Sequence, residues 1–213
     1  MNHKKIKAII FDCDGTLVSS EAPTASLITQ ILLGVGHETN FEEILNISRG
    51  EKLSALVEKL QAKFSGLDPH QFIEVYNNQI LSQLKIDLVP DPTTIEVLKN
   101  LTLARCVASN GSRERTEIAL QASGILQFFN GLIVSAYDIN AWKPDPKIIL
   151  HSASLLSTAP SECLVIDDSI DGLKAGLSAG AQVASFRVPE HKLGNLKGSV
   201  TQINDLTEIF RLI

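Results

Sequence analysis

The pattern of apolar and polar positions changes twice along the chain. Residues 7–11 form a short apolar run typical of a buried strand. From about residue 22 to residue 84 the apolar residues recur at helical spacing, and glycines interrupt the segments. After Pro90 short apolar runs alternate with helical segments. The predicted helices of the middle segment are 22–33, 41–47, 51–64 and 69–84.

The elements predicted after Pro90 alternate between strand and helix. This alternation is typical of a parallel sheet that helices cover on both faces. We therefore predict an α/β fold with a doubly wound, Rossmann-like core sheet. Its strands are predicted at 7–11, 104–108, 132–135, 163–166 and 182–186, and its helices at 93–100, 112–122, 146–156, 170–179 and 206–212.

An all-helical segment separates the first predicted strand from the rest of its sheet. We predict a core domain formed by residues 1–18 and 88–213 and an inserted helical cap formed by residues 19–87. The insertion leaves the sheet just after the first strand, so we expect it to lie over the carboxyl ends of the strands. Open α/β sheets bind their ligands at that edge, and a helical cap there is typical of a lid on an active site.

The composition agrees with a two-part α/β protein. The chain has 213 residues, of which 44% are hydrophobic and 20% charged, enough for one α/β core and a smaller domain. The net charge is −5 and the basic residues are scattered, which excludes the clustered basic face of a nucleic-acid-binding protein. The apolar runs are too short for a membrane span. A monomer or weak homodimer is expected.

The three cysteines predict reduced thiols rather than disulfides. Their number is odd and their spacing is not paired, which is typical of a cytoplasmic protein. A catalytic thiol at Cys13 is the alternative. Burial on the back of the first strand is favoured, because the side chain of Cys13 would point away from those of Asp12 and Asp14.

Carboxylates follow two of the predicted strands. Asp12 and Asp14 come after the first strand, two positions apart, and Asp167 and Asp168 end a later strand. Parallel strands end at the same edge, so these carboxylates should converge and repel one another. A hard divalent cation would relieve the repulsion. Mg²⁺ is the expected cofactor, because it binds a few carboxylates and leaves positions for water and a phosphate.

Two further loops supply groups that bind a phosphoryl group. The turn of Ser109, Asn110 and Gly111 precedes a predicted helix, where a hydroxyl and backbone amides suit phosphate oxygens. Lys143 adds a cation before another helix. Taken alone, S-N-G is usually a turn and K-P-D-P a helix start. Four such loops in one order are harder to explain without a shared site.

The order of the four motifs resembles a known family. D-x-D-G-T-L (12–17), S-N-G (109–111), K-P-D-P (143–146) and D-D-S-x-x-G (167–172) resemble the haloacid dehalogenase (HAD) superfamily of phosphotransferases. The early helical insertion resembles its C1-capped branch, which includes β-phosphoglucomutase and phosphoglycolate phosphatase. The segments FDCDGTLVSSE and SAYDINAWKPDP are similar to those of 6-phosphogluconate phosphatase-type sugar phosphatases.

The resemblance implies separate roles for the acidic residues. Asp12 would be the nucleophile that forms an aspartyl-phosphate, and Asp14 would protonate the leaving oxygen and then deprotonate water. Mg²⁺ would be held by the Asp12 side chain, the Asp14 backbone carbonyl and Asp168, with Asp167 close by. The expected activity is hydrolysis of a small sugar or sugar-acid phosphate.

The resemblance also implies roles for the other loops. Lys143 and Ser109 would share the charge that develops on the phosphoryl group. Thr16, Asn110 and Gly111 would orient the phosphate. All five residues match motif positions of the family.

The chain departs from the family pattern near the start of the cap. Many relatives read V-D-S-E where this chain has V-S-S-E, with Ser19 in place of aspartate, which bears on hinge or substrate contacts. Arg49 and Lys52 lie at a helix break where relatives often contact substrate. They are candidates for binding a second anionic group, and solvated helix charges are the alternative.

Three other functions use related residues. A phosphomutase would share the same chemistry and differ in how well the closed cap excludes water. A receiver-type signalling domain also has acidic strand ends, but its lysine comes late, whereas Lys143 precedes Asp167 and Asp168 here. A phosphosugar-binding module would have no use for Asp12. A phosphatase acting on a small-molecule phosphate ester is therefore the preferred hypothesis.

Overall fold

The chain forms two compact units. The computed structural model describes residues 5–48 and 53–213. One unit consists of the segment up to Val18 together with Pro90–Ile213, and the other is Ser19–Val89.

The first unit is built on a parallel six-stranded sheet with the order β3-β2-β1-β4-β5-β6. The first strand lies in the interior of the sheet, where Phe11 is opposite Val107 on one side and Ile166 on the other. This arrangement confirms the predicted doubly wound α/β fold. The strands are β1 (Ala8–Phe11), β2 (Ala104–Ser109), β3 (Ile133–Ser135), β4 (Cys163–Asp167), β5 (Gln182–Phe186) and β6 (Thr201–Ile203).

Helices and apolar side chains cover both faces of the sheet. Every residue of β1 and β4 is buried, as expected for parallel strands covered on two sides. On one face Ile10 and Val165 belong to a core cluster that includes Ile148 and Leu173 from two helices. The helices of this unit are α5 (Pro92–Asn100), α6 (Arg113–Ala122), α7 (Ala136–Ile139), α8 (Lys147–Leu155), α9 (Ile170–Ser178) and α10 (Glu190–Leu193).

Three short α or β elements of this unit were not predicted, and the predicted last helix has 3₁₀ geometry. The strand β6 and the helices α7 and α10 have only three or four residues each, too few to display a period. The helix predicted at 206–212 is present as a 3₁₀ helix, Leu206–Arg211. Such helices occur as short pieces, and here Asp205 and Glu208 form a capping box at its start.

The second unit is helical throughout the part that the structure describes. Its longest helix begins at an Asp68 N-cap, whose side chain accepts hydrogen bonds from the amides of His70 and Gln71. Phe72 and Tyr76 stack on the same helix, with ring centroids 6.2 Å apart. The helices are α1 (Glu21–Gly34), α2 (Phe41–Ser48), α3 (Leu53–Lys63) and α4 (Pro69–Asp87).

Within the described residues, every helix is too short or too polar to cross a bilayer.

Candidate active site

The turn after β1 places two aspartates at the carboxyl edge of the sheet. The Asp12 amide donates to the Ile166 carbonyl and so extends the parallel ladder by one residue. The chain then turns at Gly15, which has φ +86°, a conformation that costs glycine little. The Gly15 amide donates to the Val18 carbonyl at 2.8 Å and closes the turn.

The start of α9 orients Asp167 at the end of β4. Ser169 is the N-cap of this helix, and its hydroxyl accepts from the Gly172 amide. The same hydroxyl donates to Asp167 Oδ1 at 2.6 Å, and the Ser169 amide donates to that oxygen at 2.9 Å. Asp167 is only 1% exposed, so the helix start determines where its carboxylate points.

Three carboxylates converge at this edge. Carboxylate oxygens of Asp12, Asp167 and Asp168 lie within 4.8 Å of one another. Lys143 Nζ lies 2.5 Å from Asp12 Oδ1 and 2.8 Å from Asp167 Oδ2, and its side chain is 3% exposed. Paired buried charges of this kind stabilise one another only while both partners are present. Residues far apart in the sequence thus form one electrostatic unit.

Burial and mutual repulsion raise the pKa of two acids of this cluster. Burial raises the pKa of Asp12 well above its ordinary value, which Lys143 counters and Asp167 and Asp168 reinforce. Burial, followed by the charge of Asp167, raises the pKa of Asp168 to about 7. Burial alone would lower the pKa of Lys143, but Asp12 and Asp167 raise it above its ordinary value. The lysine therefore remains charged. The ionised forms of Asp12 and Asp168 are disfavoured while no further cation is bound.

This donor set fits a hard divalent cation. Three carboxylates whose oxygens lie within 4.8 Å of one another, with Lys143 against two of them, match the oxygen ligands that Mg²⁺ prefers. The raised pKa of Asp168 has the same implication, because a bound cation would favour its ionised form.

The two predicted phosphate loops are linked to the cluster. The Asn110 side chain accepts from the Lys143 amide at 2.8 Å, which ties the loop after β2 to the loop before α8. Ser109 Oγ accepts from the Gly111 amide at 3.0 Å. The Thr16 hydroxyl donates to Asp168 at 3.3 Å. The structure therefore gathers all five predicted core loop residues at the same edge.

Asp14 is held separately from the other acids. Its Oδ1 lies 3.2 Å from Arg115 Nη2, and its carboxylate is not a member of the three-carboxylate group. Sequence reasoning missed Arg115. A signal was available: Arg113 and Arg115 both lie in the first turn of α6, where the helix dipole disfavours cations. Both pair with an aspartate, Arg113 with Asp138.

Two glycines of the motifs allow close packing against the acids. A Cβ on Gly172 would lie 1.8 Å from Asp167 Oδ2, and a Cβ on Gly15 would lie 2.0 Å from Asp168 Oδ2. Any side chain at either position would displace a carboxylate. The sequence displayed both glycines, but it gave no indication of what they pack against.

Two other sequence predictions meet different outcomes. Arg49 and Lys52 lie outside the residues that the structure describes. Cys13 is fully buried, and burial followed by the charges of Asp14 and Asp12 raises the pKa of its thiol well above the ordinary value. A thiolate nucleophile needs a lowered pKa, so the structure argues against a catalytic role for Cys13.

Asp168 predicts a pH dependence of stability in the absence of divalent cations. Its pKa is about 7 in the fold and ordinary in the unfolded chain, so between about pH 4 and 7 only the folded state binds this proton. The free energy of unfolding should therefore decrease as pH rises through this range. Urea denaturation with a chelator, at about pH 5 and about pH 8, should show a smaller decrease for Asp168→Asn. Equal decreases in the two proteins would contradict the assignment.

Gly172→Ala should weaken divalent-cation binding. The new Cβ would displace Asp167, and loss of groups that support a metal site typically costs about 10–100-fold in affinity. Calorimetric titration with Mg²⁺ measures the change. Gly34→Ala is the matched control, because Gly34 is also helical and has no atom near its Cβ position. Wild-type affinity in a folded Gly172→Ala protein would show that close packing does not hold Asp167.

Comparison with known proteins agrees with this geometry. The chain is 27% identical to 6-phosphogluconate phosphatase of Escherichia coli K12, over 96% of this chain and 93% of that protein. It is 28% identical to phosphoglycolate phosphatase of Aquifex aeolicus, over 84% of each chain. A crystal structure of a haloacid dehalogenase-like protein of unknown function from Agrobacterium tumefaciens superposes with a TM-score of 0.82 at 27% identity, covering 97% of both chains.

A family model describes most of the chain. Residues 6–180, which carry all four motifs and the three converging carboxylates, match the model of the haloacid dehalogenase-like hydrolases. The sheet order and the site at its carboxyl edge are consistent with this match. The chain therefore belongs to the haloacid dehalogenase-like hydrolase family.

Proposed function

We propose that this protein is a Mg²⁺-dependent phosphatase that hydrolyses a small sugar or sugar-acid phosphate through an aspartyl-phosphate on Asp12. One observation carries the proposal. The Asp12 carboxylate lies against a buried lysine and within 4.8 Å of the two other acids, at the sheet edge where α/β proteins bind ligands. Membership of a hydrolase family and similarity to proteins named as phosphatases support it.

Asp12 suits the role of nucleophile because Lys143 holds its carboxylate in place, and a bound cation would favour its ionised form. In the first step an Asp12 oxygen would form a bond to phosphorus as the bond from phosphorus to the sugar oxygen breaks. Asp14 would give its proton to that leaving oxygen. In the second step Asp14 would take a proton from water as the water oxygen attacks phosphorus, which releases inorganic phosphate and restores Asp12.

The acids would also hold the cation. We assign it to the side chains of Asp12 and Asp168 and to the backbone carbonyl of Asp14, with Asp167 next to it. Bound there, Mg²⁺ would neutralise the approach of a phosphate dianion to a carboxylate. Asp167 also fixes Lys143 through their 2.8 Å contact, so this acid would keep the lysine aimed at the reacting group.

The remaining loops would bind the phosphoryl oxygens. Lys143 supplies a charge that its surroundings keep protonated, and Ser109 supplies a hydroxyl at the end of β2. The Asn110 side chain holds the lysine loop, and the Gly111 amide holds the Ser109 side chain. Asn110 and Gly111 would thus position Lys143 and Ser109, which touch the phosphate. Thr16 would position Asp168.

The substrate class rests on the relatives. A sugar-acid phosphate and phosphoglycolate, the substrates in the relatives' names, each combine a phosphate ester with a carboxylate. Arg49 and Lys52 are proposed to bind such a second anionic group, and the helical segment 19–87 is proposed to act as the specificity lid. Both assignments stay predictions.

Asp12→Asn should abolish turnover while preserving the fold. The amide is a poor nucleophile and a poor cation ligand, so a decrease of at least about 1,000-fold in kcat is expected. Phosphate release and acid-quenched phosphoenzyme measure the two effects. Asp138→Asn is the control, because it removes an exposed aspartate of the same unit that pairs with Arg113. Substantial Mg²⁺-dependent turnover by Asp12→Asn would show that the nucleophile is another residue.

Chelation and product analysis separate a phosphatase from a phosphomutase. With excess chelator, activity should disappear, and Mg²⁺ should restore it. Phosphogluconate, phosphoglycolate, fructose 1-phosphate and glucose phosphates form the substrate panel. A phosphatase releases inorganic phosphate from its substrate. Isomerisation of a glucose phosphate without phosphate release would instead establish the mutase alternative.

A further inference from the structure

Arg115 occupies an unfavourable position for a cation. It lies in the first turn of α6, and its amide donates to the Ser112 N-cap. The positive end of the helix dipole repels a guanidinium there. A positive charge at this position therefore requires a compensating partner, and the structure supplies the Asp14 carboxylate at 3.2 Å.

The route of the Arg115 side chain ties it to the phosphate loop. Arg115 Cδ lies 3.5 Å from the position that a Cβ on Gly111 would occupy. The side chain thus passes over the turn after β2 before its guanidinium reaches the turn after β1. The guanidinium side chain is 20% exposed, less than the 34% of its aspartate partner, so the arginine is the more firmly packed member of the pair.

The other acids of this edge each have a partner from a different loop. Lys143 contacts Asp12 and Asp167, and Thr16 contacts Asp168. Asp14 is more exposed than Asp12 and Asp167. A rotation about its χ1 angle alone would move its carboxylate away from the other acids. A general acid–base must stay within hydrogen-bond reach of the reacting oxygen. The contact with Arg115 restrains the Asp14 carboxylate.

We infer that Arg115 is a positioning residue that holds the Asp14 carboxylate where it can transfer protons. The inference rests on the proposed function, and it assigns Arg115 no contact with substrate. An arginine suits this task better than a lysine, because its planar guanidinium constrains the direction of a carboxylate as well as its distance. Arg115→Gln keeps a polar side chain at this position, so the loss of the contact should affect catalysis more than folding.

The experiment compares two leaving groups in Arg115→Gln. Release of an alkoxide from a sugar phosphate needs a proton from Asp14, whereas p-nitrophenolate leaves without one. For a sugar phosphate we expect kcat to fall about tenfold or more with KM little changed. In single turnover, p-nitrophenol release from p-nitrophenyl phosphate should stay within about twofold of wild type. Arg115→Lys should recover part of the loss.

A second arginine of the same helix provides the control. Arg113→Gln removes an arginine from the same turn, one that pairs with Asp138, and it should leave both reactions unchanged. Equal losses on the two substrates, a change confined to KM, or no loss would each overturn the inference. These outcomes are distinct from failure of the proposed function, which would appear as retained turnover in Asp12→Asn.

Discussion

The candidate active site depends on one buried ammonium group between two carboxylates, of which that of Asp167 is fully buried. Lys143 contacts Asp12 and Asp167 while almost no part of its side chain is exposed. Two anions in that position without the lysine would be costly, and the lysine without them would be equally costly. The contacts join the ends of β1 and β4 to the loop before α8, so the charge balance also determines the geometry of the loops.

The lysine does not balance all of the negative charge. Asp168 retains a raised pKa despite its hydrogen bond from Thr16, because it is buried close to Asp167. The remaining imbalance is what makes the site suited to a cation. A cation bound there would favour the ionised forms of these acids, which is the form that the proposed function requires of Asp12.

Backbone positions without side chains make this concentration of charge possible. Gly15 and Gly172 leave room for Asp168 and Asp167, respectively, within distances that no Cβ would permit. The N-cap of α9 then uses Ser169 to orient Asp167. The end of β4, the N-cap of α9 and Gly172 therefore hold Asp167 together. This shared task explains why D-D-S-x-x-G is a contiguous motif.

Periodicity and motif order are local properties of the chain, so the fold class, the strand-end location of the acids and the family resemblance could all be predicted from the sequence. It did not reveal β6, whose three residues are too few to show a period. Which side chains contact one another became known only from the folded chain. Arg115 and Asp14 are 101 positions apart, and Asp12 and Lys143 are 131 apart. Such contacts depend on strand register and on where each helix begins, which no local pattern specifies.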